Sequence, residues 1–282
     1  MTNQTLSTGF PAIDKITGGL HPGKLYVIAG RPGVGKSALA MNMAEHVAFD
    51  EGVPVAVFNR KMPSHHILRR LRRSRARVTK SNTLDATINK EEGTSSEAIS
   101  ILSKMNLFID DTAGQTIEEI KIRARRLSDD EGVKLVVIDY LQLLRGENPR
   151  SQVEPFSPAG ASGHEHFYWS SVSMTEQAEI SHGCKTLAGE LAVPVIVLCA
   201  LSRFRGKRNH PALSDLYILA GLENEADVVG LLSRDKYETD GQRPSNEENA
   251  TFIIAKQRNG PTGAVLLTYF KNHTRFEEHR PG

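Results

Sequence analysis

The sequence predicts an α/β fold whose mainly parallel, twisted sheet is flanked by helices and continues into a C-terminal β-hairpin. Short apolar runs alternate with amphipathic helical patterns, which is typical of chains that build a parallel sheet. The runs are apolar throughout, as in strands that are buried on both faces. Near the C-terminus, two further runs lie on either side of NGPTG, whose Gly-Pro pair predicts the turn of a hairpin.

The positions of these patterns define the predicted elements. Apolar runs predict buried strands at 24–30, 53–58, 134–139, 193–199 and 227–233, and hairpin strands at 251–257 and 264–270. Helical patterns lie at about 36–50, 64–77, 116–131 and 174–192. We expect these elements to form a single domain over residues 1–282. The segment 151–171 has no period and is rich in Ser, Pro and Gly, which predicts a long functional or mobile loop.

Composition and charge narrow the class of protein. The net charge of +2 does not by itself indicate a nucleic-acid-binding protein, so local basic clusters must carry that argument. The two cysteines are too few for a disulfide framework and suit a reducing compartment. The chain has no basic and apolar start typical of a signal peptide, and no apolar run of about 20 residues. We therefore expect a soluble cytoplasmic protein with no membrane partner.

Residues 30–37, GRPGVGKS, match the phosphate-binding pattern G-x-x-x-x-G-K-[ST]. The motif follows a predicted strand and begins a predicted helix, which is the context that such a loop requires. Its glycines let backbone N–H groups surround phosphates, and the helix N-terminus adds partial positive charge. We expect Lys36 to reach the β- and γ-phosphates and the Ser37 hydroxyl to bind Mg²⁺. The predicted ATP site comprises Gly30, Arg31, Pro32, Gly33, Val34, Gly35, Lys36 and Ser37.

Asp139 ends the apolar run KLVVID. This position places its carboxylate at the carboxyl edge of the sheet, where α/β folds bind ligands. Together with the phosphate loop, it predicts a role in holding Mg²⁺. The alternative for an isolated Asp is a helix cap or a turn residue.

Five stretches resemble, in order, the C-terminal motor domain of DnaB-like hexameric replicative DNA helicases. They are STGFPAIDKITGGLHPGKLYVIAGRPGVGKSALAMNMA, LFIDD, VVIDYLQLL, LAVPVIVLCALSR and IIAKQRNGPTG, and apart from 151–171 they extend from about Ser7 to Phe276. IDYLQLL and KQRNGPTG are the specific motifs. A RecA-type recombinase or a KaiC-like ATPase would share the phosphate loop but not KQRNGPTG.

The resemblance implies a RecA-like P-loop NTPase fold and a homo-oligomeric ring of six subunits that moves single-stranded DNA in the 5′→3′ sense as it hydrolyses ATP. It also implies that Lys256 and Arg258 reach the γ-phosphate of a neighbouring subunit, with Arg258 as the arginine finger. Alternation along a strand would put both cations on one face and Gln257 on the other. Family members carry an N-terminal domain and a linker helix, and six residues precede STGF here. We therefore expect either a fragment or a different assembly.

Two basic stretches are candidates for contact with nucleic acid. The run LRRLRRSRARVTK (68–80) has helical spacing and no acidic residue, so a nucleic-acid backbone or an acidic partner is one hypothesis and a solvated face is the other. The second stretch follows the fourth predicted strand, where the resemblance implies a loop that faces the central channel and contacts DNA phosphates. Its cations are Arg203, Arg205, Lys207 and Arg208.

Three positions depart from the family's pattern. Lys61 stands where the family has a glutamate that orients the attacking water, and a protonated lysine cannot act as that base. Ala200 stands at the place of a glutamine that senses the γ-phosphate, and Tyr217 at the place of an arginine. We therefore expect ATP to be bound well and hydrolysed slowly. The alternative is that another carboxylate, such as Glu45, has taken the role of the glutamate.

Three functions remain open from the sequence. The first is a working ATP-driven DNA helicase with a rearranged catalytic carboxylate. The second is a catalytically poor paralogue that binds ATP and joins or modulates a ring with a complete helicase. The third, formation of a recombinase-type filament, has the least support.

Overall fold

The computed structural model describes residues 4–59, 62–82, 106–139, 141, 144, 174–201, 210–216, 221–234 and 246–279. Several positions discussed above lie outside the described residues. These are Lys61, Tyr217, the segment 151–171, and Arg203, Arg205, Lys207 and Arg208.

Nine strands of the described chain form one sheet. They are β1 (Leu25–Gly30), β2 (Val55–Asn59), β3 (Leu107–Asp110), β4 (Leu135–Asp139), β5 (Val195–Ala200), β6 (Val228–Arg234), β7 (Glu247–Gln257), β8 (Gly263–Phe270) and β9 (Arg275–Glu278). Their order across the sheet is β3-β2-β4-β5-β1-β6-β7-β8-β9. The first six strands in this order are parallel, and β7, β8 and β9 are added antiparallel. The predicted parallel sheet and C-terminal hairpin are confirmed.

Helices cover both faces of the sheet. They are α1 (Pro11–Thr17), α2 (Lys36–Glu45, followed by a π-helical turn over His46–Asp50), α3 (Ser64–Asn82), α4 (Ile117–Glu131), α5 (Met174–Leu191) and the short α6 (Leu222–Glu225). Alternate strand residues face opposite layers, as pleating requires. Tyr26 and Ile28 of β1 join the core under α1, α2 and α3, whereas Val27 and Ala29 join the core under α4 and α5. Among the described helices, none has the length and apolar composition needed to cross a membrane.

The strand and helix predictions agree closely with the structure, but α1, α6, β3 and β9 were not predicted. The strand β9 has one buried residue, Phe276, and β3 is only half-buried along its length. Short, half-polar segments of this kind carry little hydrophobic periodicity.

The helix α2 is buried on almost all sides. Nine of its ten residues are buried, including the polar residues Asn42 and Glu45, and Ser37 alone is not. This follows from its position between the sheet, α3 and β9, since a helix without a solvent face needs no amphipathic stripe. Its polar side chains must find partners inside the protein, because burying them unpaired is costly.

Candidate functional site

The phosphate loop leaves the central strand β1 and leads directly into α2. Its glycines occupy conformations that other residues rarely adopt, with φ of +77° at Gly33 and +107° at Gly35. A Cβ at Gly35 would also lie 2.8 Å from the Phe276 ring, and one at Gly30 would lie 2.6 Å from the Leu232 carbonyl oxygen. The glycine spacing in GRPGVGKS is therefore required by both backbone conformation and close packing.

Lys36 and Ser37 begin α2 at the mouth of this loop. The Lys36 ammonium donates to the carbonyl oxygens of Gly30 at 2.9 Å and Arg31 at 3.0 Å, so it lies within the loop that it is expected to serve. Ser37 is the residue of α2 that remains partly accessible. An ammonium and an accessible hydroxyl at a helix N-terminus, next to a glycine cradle, fit a polyphosphate with its metal ion.

Asp139 lies at the same edge of the sheet as the phosphate loop. Its strand β4 ends beside β2, where Asp139 is in register with Asn59, and its side chain is 1% exposed. The Asn59 side-chain oxygen accepts from the backbone N–H of Met62 at 3.0 Å, which fixes the start of the β2–α3 connection. A buried carboxylate at this edge fits the predicted Mg²⁺ role.

Ala200 ends β5 and is in register with Gly30 at the start of the phosphate loop. The position at which the resemblance implies a glutamine is thus adjacent to the loop in the sheet. An alanine methyl there is 7% exposed and has no hydrogen-bonding group to offer a phosphate.

Arg234 joins the phosphate loop to the antiparallel part of the sheet, a contact that the sequence did not predict. Its guanidinium donates to the Gly33 carbonyl at 2.8 Å, pairs with Glu248 at 2.8 Å and lies over the Tyr269 ring at 4.6 Å from the centroid. The sequence carried no signal for this contact, because the adjacency of β6 and β1 appears only in the folded sheet. This side chain holds the loop from the side opposite to β5.

A buried polar cluster holds the other end of α2. Asn42 accepts from the backbone N–H of Phe276 at 2.9 Å and donates to the Ser74 hydroxyl at 3.2 Å. Ser74 donates to Glu45 at 2.8 Å and accepts from Arg275 at 2.8 Å. The cluster therefore connects α2 with α3 and β9.

The position of Glu45 argues against its use as a substitute catalytic base. Burial raises the pKa of its carboxyl group, against the opposing effect of Arg275 and the hydrogen bond from Ser74. Along the helix axis Glu45 is nine residues, or about 13 Å, from Lys36. Its carboxylate is engaged in the cluster that fixes α2 and not at the phosphate loop.

Lys256 and Arg258 lie together, as strand alternation predicted. The Lys256 ammonium donates to the carbonyl oxygens of Glu223 and Ala226, and the Arg258 guanidinium donates to that of Asn224 at 2.7 Å. Desolvation lowers the pKa of Lys256, and the nearby positive charge of Arg258 lowers it further. Both cations therefore contact α6, and Lys256 also contacts the residue that follows it.

Gln257, between the two cations, points to the opposite side of the strand. Its side-chain nitrogen donates to the carbonyl oxygen of Ile16 in α1 at 3.2 Å. The contacts of Gln257 therefore agree with the predicted alternation.

The two cations are at the amino edge of the parallel strands, opposite to the carboxyl edge that carries the phosphate loop. Gln257 is in register with Val228, the first residue of β6, whereas Leu232 near the end of β6 is in register with Gly30. Four residues of parallel strand, or about 13 Å, separate these levels. Lys256 and Arg258 therefore do not act on the phosphate loop of their own chain.

We expect Gly35→Ala to lower the affinity for ATP at least about tenfold. The added methyl group meets both a positive φ and the Phe276 ring, so the loop must change its shape. Gly132→Ala is the matched control, because Gly132 has φ +71° at the end of α4 but open space around it. Titration with a fluorescent ATP analogue would measure both affinities, and equal affinities of the two variants would contradict the prediction.

Comparison with known proteins places this site in a family. The family model described as "DnaB-like helicase C terminal domain" matches residues 5–278. The replicative DNA helicase DnaC of Bacillus subtilis is 34% identical over 274 residues, and the replicative DNA helicase DnaB of Leifsonia xyli is 36% identical over 279 residues. The alignments cover 96% and 97% of this chain, and the chain spans 56% of the length of each relative.

Solved structures give the same result. A DnaB-like replicative helicase, described with its interactions with primase, superposes with a TM-score of 0.75 at 30% identity, over 97% of this chain and 63% of its own. A separately solved ATPase domain also gives 0.75 at 30% identity, over 99% of this chain and 93% of that one. A KaiC-like protein of Pyrococcus horikoshii, with a TM-score of 0.60 and 13% identity, shares the fold. The chain belongs to the DnaB-like helicase C-terminal domain family, as its motifs predicted.

Proposed function

We propose that this chain is an ATP-binding motor domain of the helicase type that acts on single-stranded DNA as part of a ring, with each ATP held between two subunits. One observation carries the proposal. The phosphate loop and the pair Lys256–Arg258 lie at opposite edges of one sheet, so a complete site needs the loop of one subunit and the cations of the next. Head-to-tail contacts of this kind close into rings when the rotation between subunits allows it.

The subunit with the phosphate loop supplies the groups that bind the nucleotide. Backbone N–H groups of residues 30–37 and the Lys36 ammonium bind the phosphates, and Ser37 and Asp139 hold Mg²⁺. The metal ion neutralises negative charge on the phosphate oxygens. On binding ATP, Lys36 exchanges the carbonyl oxygens of Gly30 and Arg31 for phosphate oxygens, which are stronger acceptors.

The neighbouring subunit supplies Arg258 as the arginine finger and Lys256 as a second cation. The Arg258 side chain is 49% exposed, so its guanidinium is accessible to a second copy of the chain. A finger supplied from a neighbour can increase the rate by about 10³–10⁵ and makes hydrolysis depend on assembly.

Hydrolysis is slow in this proposal. Lys61 replaces the expected general base, whose loss typically costs about 10²–10⁴ in rate. Ala200, beside Gly30, offers no amide to the γ-phosphate. Neither change removes a group that binds the nucleotide. The site therefore keeps its affinity for ATP and loses most of its turnover.

The loop after β5 is the proposed DNA contact. Ala200 ends β5 beside the phosphate loop, so the basic residues that follow start from the edge that holds the nucleotide. Arg203, Arg205, Lys207 and Arg208 contact DNA phosphates in this proposal. Arg69, Arg70 and Arg73 are exposed on α3 and add positive charge to the surface of that helix.

The second candidate function is a mixed ring in which this chain binds ATP beside a complete helicase. Ala200 beside the phosphate loop favours this candidate. Slow hydrolysis at the ATP site of this chain would not affect Lys256 and Arg258 at the other edge of the sheet. Strand displacement by the purified chain alone, together with a pulldown using a complete DnaB-type helicase, separates the two candidates.

We expect ATP turnover of about 0.1 s⁻¹ or less, with or without single-stranded DNA. This value follows from a typical enzyme turnover of about 10 s⁻¹ reduced by the loss of a general base. Restoring the carboxylate in Lys61→Glu should raise the rate at least tenfold, while Lys61→Gln, which removes the charge without adding a base, should not. Steady-state phosphate release measures all three proteins. Wild-type turnover near 10 s⁻¹, or equal rates for the two variants, would disprove slow hydrolysis.

Binding of oligothymidylate should weaken steeply as the salt concentration rises. For single strands the slope of log affinity against log salt changes by about 0.7 for each phosphate contact. Replacing Arg203, Arg205, Lys207 and Arg208 by alanine should therefore make the slope shallower by roughly 3 if all four contact phosphates. Fluorescence anisotropy over a salt series measures the slope, and an unchanged slope would remove this loop from the DNA interface.

A further inference from the structure

Asp227 connects the start of β1, the strand that leads into the phosphate loop, to Arg258, the proposed arginine finger. Its carboxylate accepts from the backbone N–H of Leu25, the first residue of β1, at 2.8 Å, and from the Lys185 ammonium at 2.6 Å. Its backbone carbonyl accepts from the N–H of Arg258 at 2.8 Å. The residue is 7% exposed, so these contacts are made inside the protein.

The Arg258 side chain also lies beside Asp227. Its Nε lies 3.8 Å from the Asp227 carboxylate, and its terminal nitrogen donates to the Asn224 carbonyl at 2.7 Å. Since β7 ends at Gln257, Arg258 lies beyond the last ladder position of its own strand. Its direction is therefore set by the contacts with Asp227 and Asn224 and not by the sheet.

Lys185 completes this arrangement from α5. Its ammonium also donates to the carbonyl oxygen of Gly23 at 3.0 Å, just before β1. The Asp227 carboxylate is thus fixed by the start of β1 and by a cation from the helix layer. A carboxylate held by two independent elements has a fixed position. It therefore restricts the orientations that the long, flexible Arg258 side chain can adopt.

We propose that Asp227 is a positioning residue that directs Arg258 towards the ATP of the neighbouring subunit. The inference rests on the proposed function, because it requires Arg258 to act in trans. Asp227 touches neither the nucleotide nor the phosphate loop of its own chain. It acts only through the finger that it holds.

The test is complementation between variants in mixed rings. Lys36→Ala has a defective ATP site but an intact finger, and Arg258→Ala has an intact ATP site but no finger. Mixed one to one, they form functional interfaces in about a quarter of positions, because each needs the loop of one variant and the finger of the other. Radiolabelled ATP in single-turnover experiments detects this recovery even when turnover is slow.

Asp227→Asn keeps the backbone contact with Arg258 but removes the carboxylate charge. We expect the hydrolysis rate of this variant to fall about tenfold while the KM for ATP changes less than twofold. Mixing it with Lys36→Ala should restore the rate to about a quarter of wild type, and mixing it with Arg258→Ala should restore nothing. This pattern would assign Asp227 to the finger and not to the ATP site.

The opposite pattern, recovery with Arg258→Ala and none with Lys36→Ala, would overturn the inference, because it would show that Asp227 supports its own phosphate loop through β1. Failure of Lys36→Ala and Arg258→Ala to complement each other would overturn the proposed trans site and this inference with it. Thermal unfolding checks that Asp227→Asn is folded. If it is not, Lys185→Met, which keeps Asp227 but removes the cation paired with it, takes its place and is expected to show the same complementation.

Discussion

The central strand β1 sets the position of the phosphate loop. All six of its residues are buried, and it is hydrogen-bonded to β5 on one side and β6 on the other. The phosphate loop starts at one end of this strand, and Asp227 fastens the other end. The phosphate loop and the contact with Asp227 are therefore at the two ends of a single strand, and neither can move far without disturbing the centre of the core.

The buried helix α2 shows how the fold retains polar groups next to the site. Asn42 and Glu45 have no solvent face, and each is satisfied by a partner from another element, either Ser74 of α3 or the backbone of β9. Breaking such a cluster costs more than forming it gains, because a polar group left unpaired in the interior carries its full desolvation penalty. The cluster therefore specifies how α3 and β9 pack around the phosphate helix, and Arg234 performs a related task on the loop itself.

The sequence predicted the parts of this structure that are contiguous in the chain. Five apolar runs and four helical patterns predicted the positions of the central strands and the long helices, because buried strands and long helices repeat one pattern over many residues. The residues 30–37 were predicted as a set because a phosphate loop is a local motif. The role of Lys256 and Arg258 was predicted from the family resemblance, since K-Q-R alone is also typical of a solvated strand. Contacts such as Asp227 with Leu25, Arg234 with Gly33 and Asn42 with Phe276 join residues about 200 positions apart, and single-sequence periodicity has no access to them.

Two of the departures from the pattern expected for the family bear on one edge of the sheet only. Ala200 lies at the phosphate edge, and Lys61 belongs to the stretch between β2 and α3 that starts there. Both changes therefore belong to the proposed ATP site of this chain and leave unchanged the cations that we propose it offers to a neighbour. In the proposed function, a subunit that is a poor ATPase at its own loop still completes the site of the next subunit. The two candidate functions, a slow motor and a partner in a mixed ring, thus differ in which edge of the same sheet is used, and the contact between Asp227 and Arg258 bears on both.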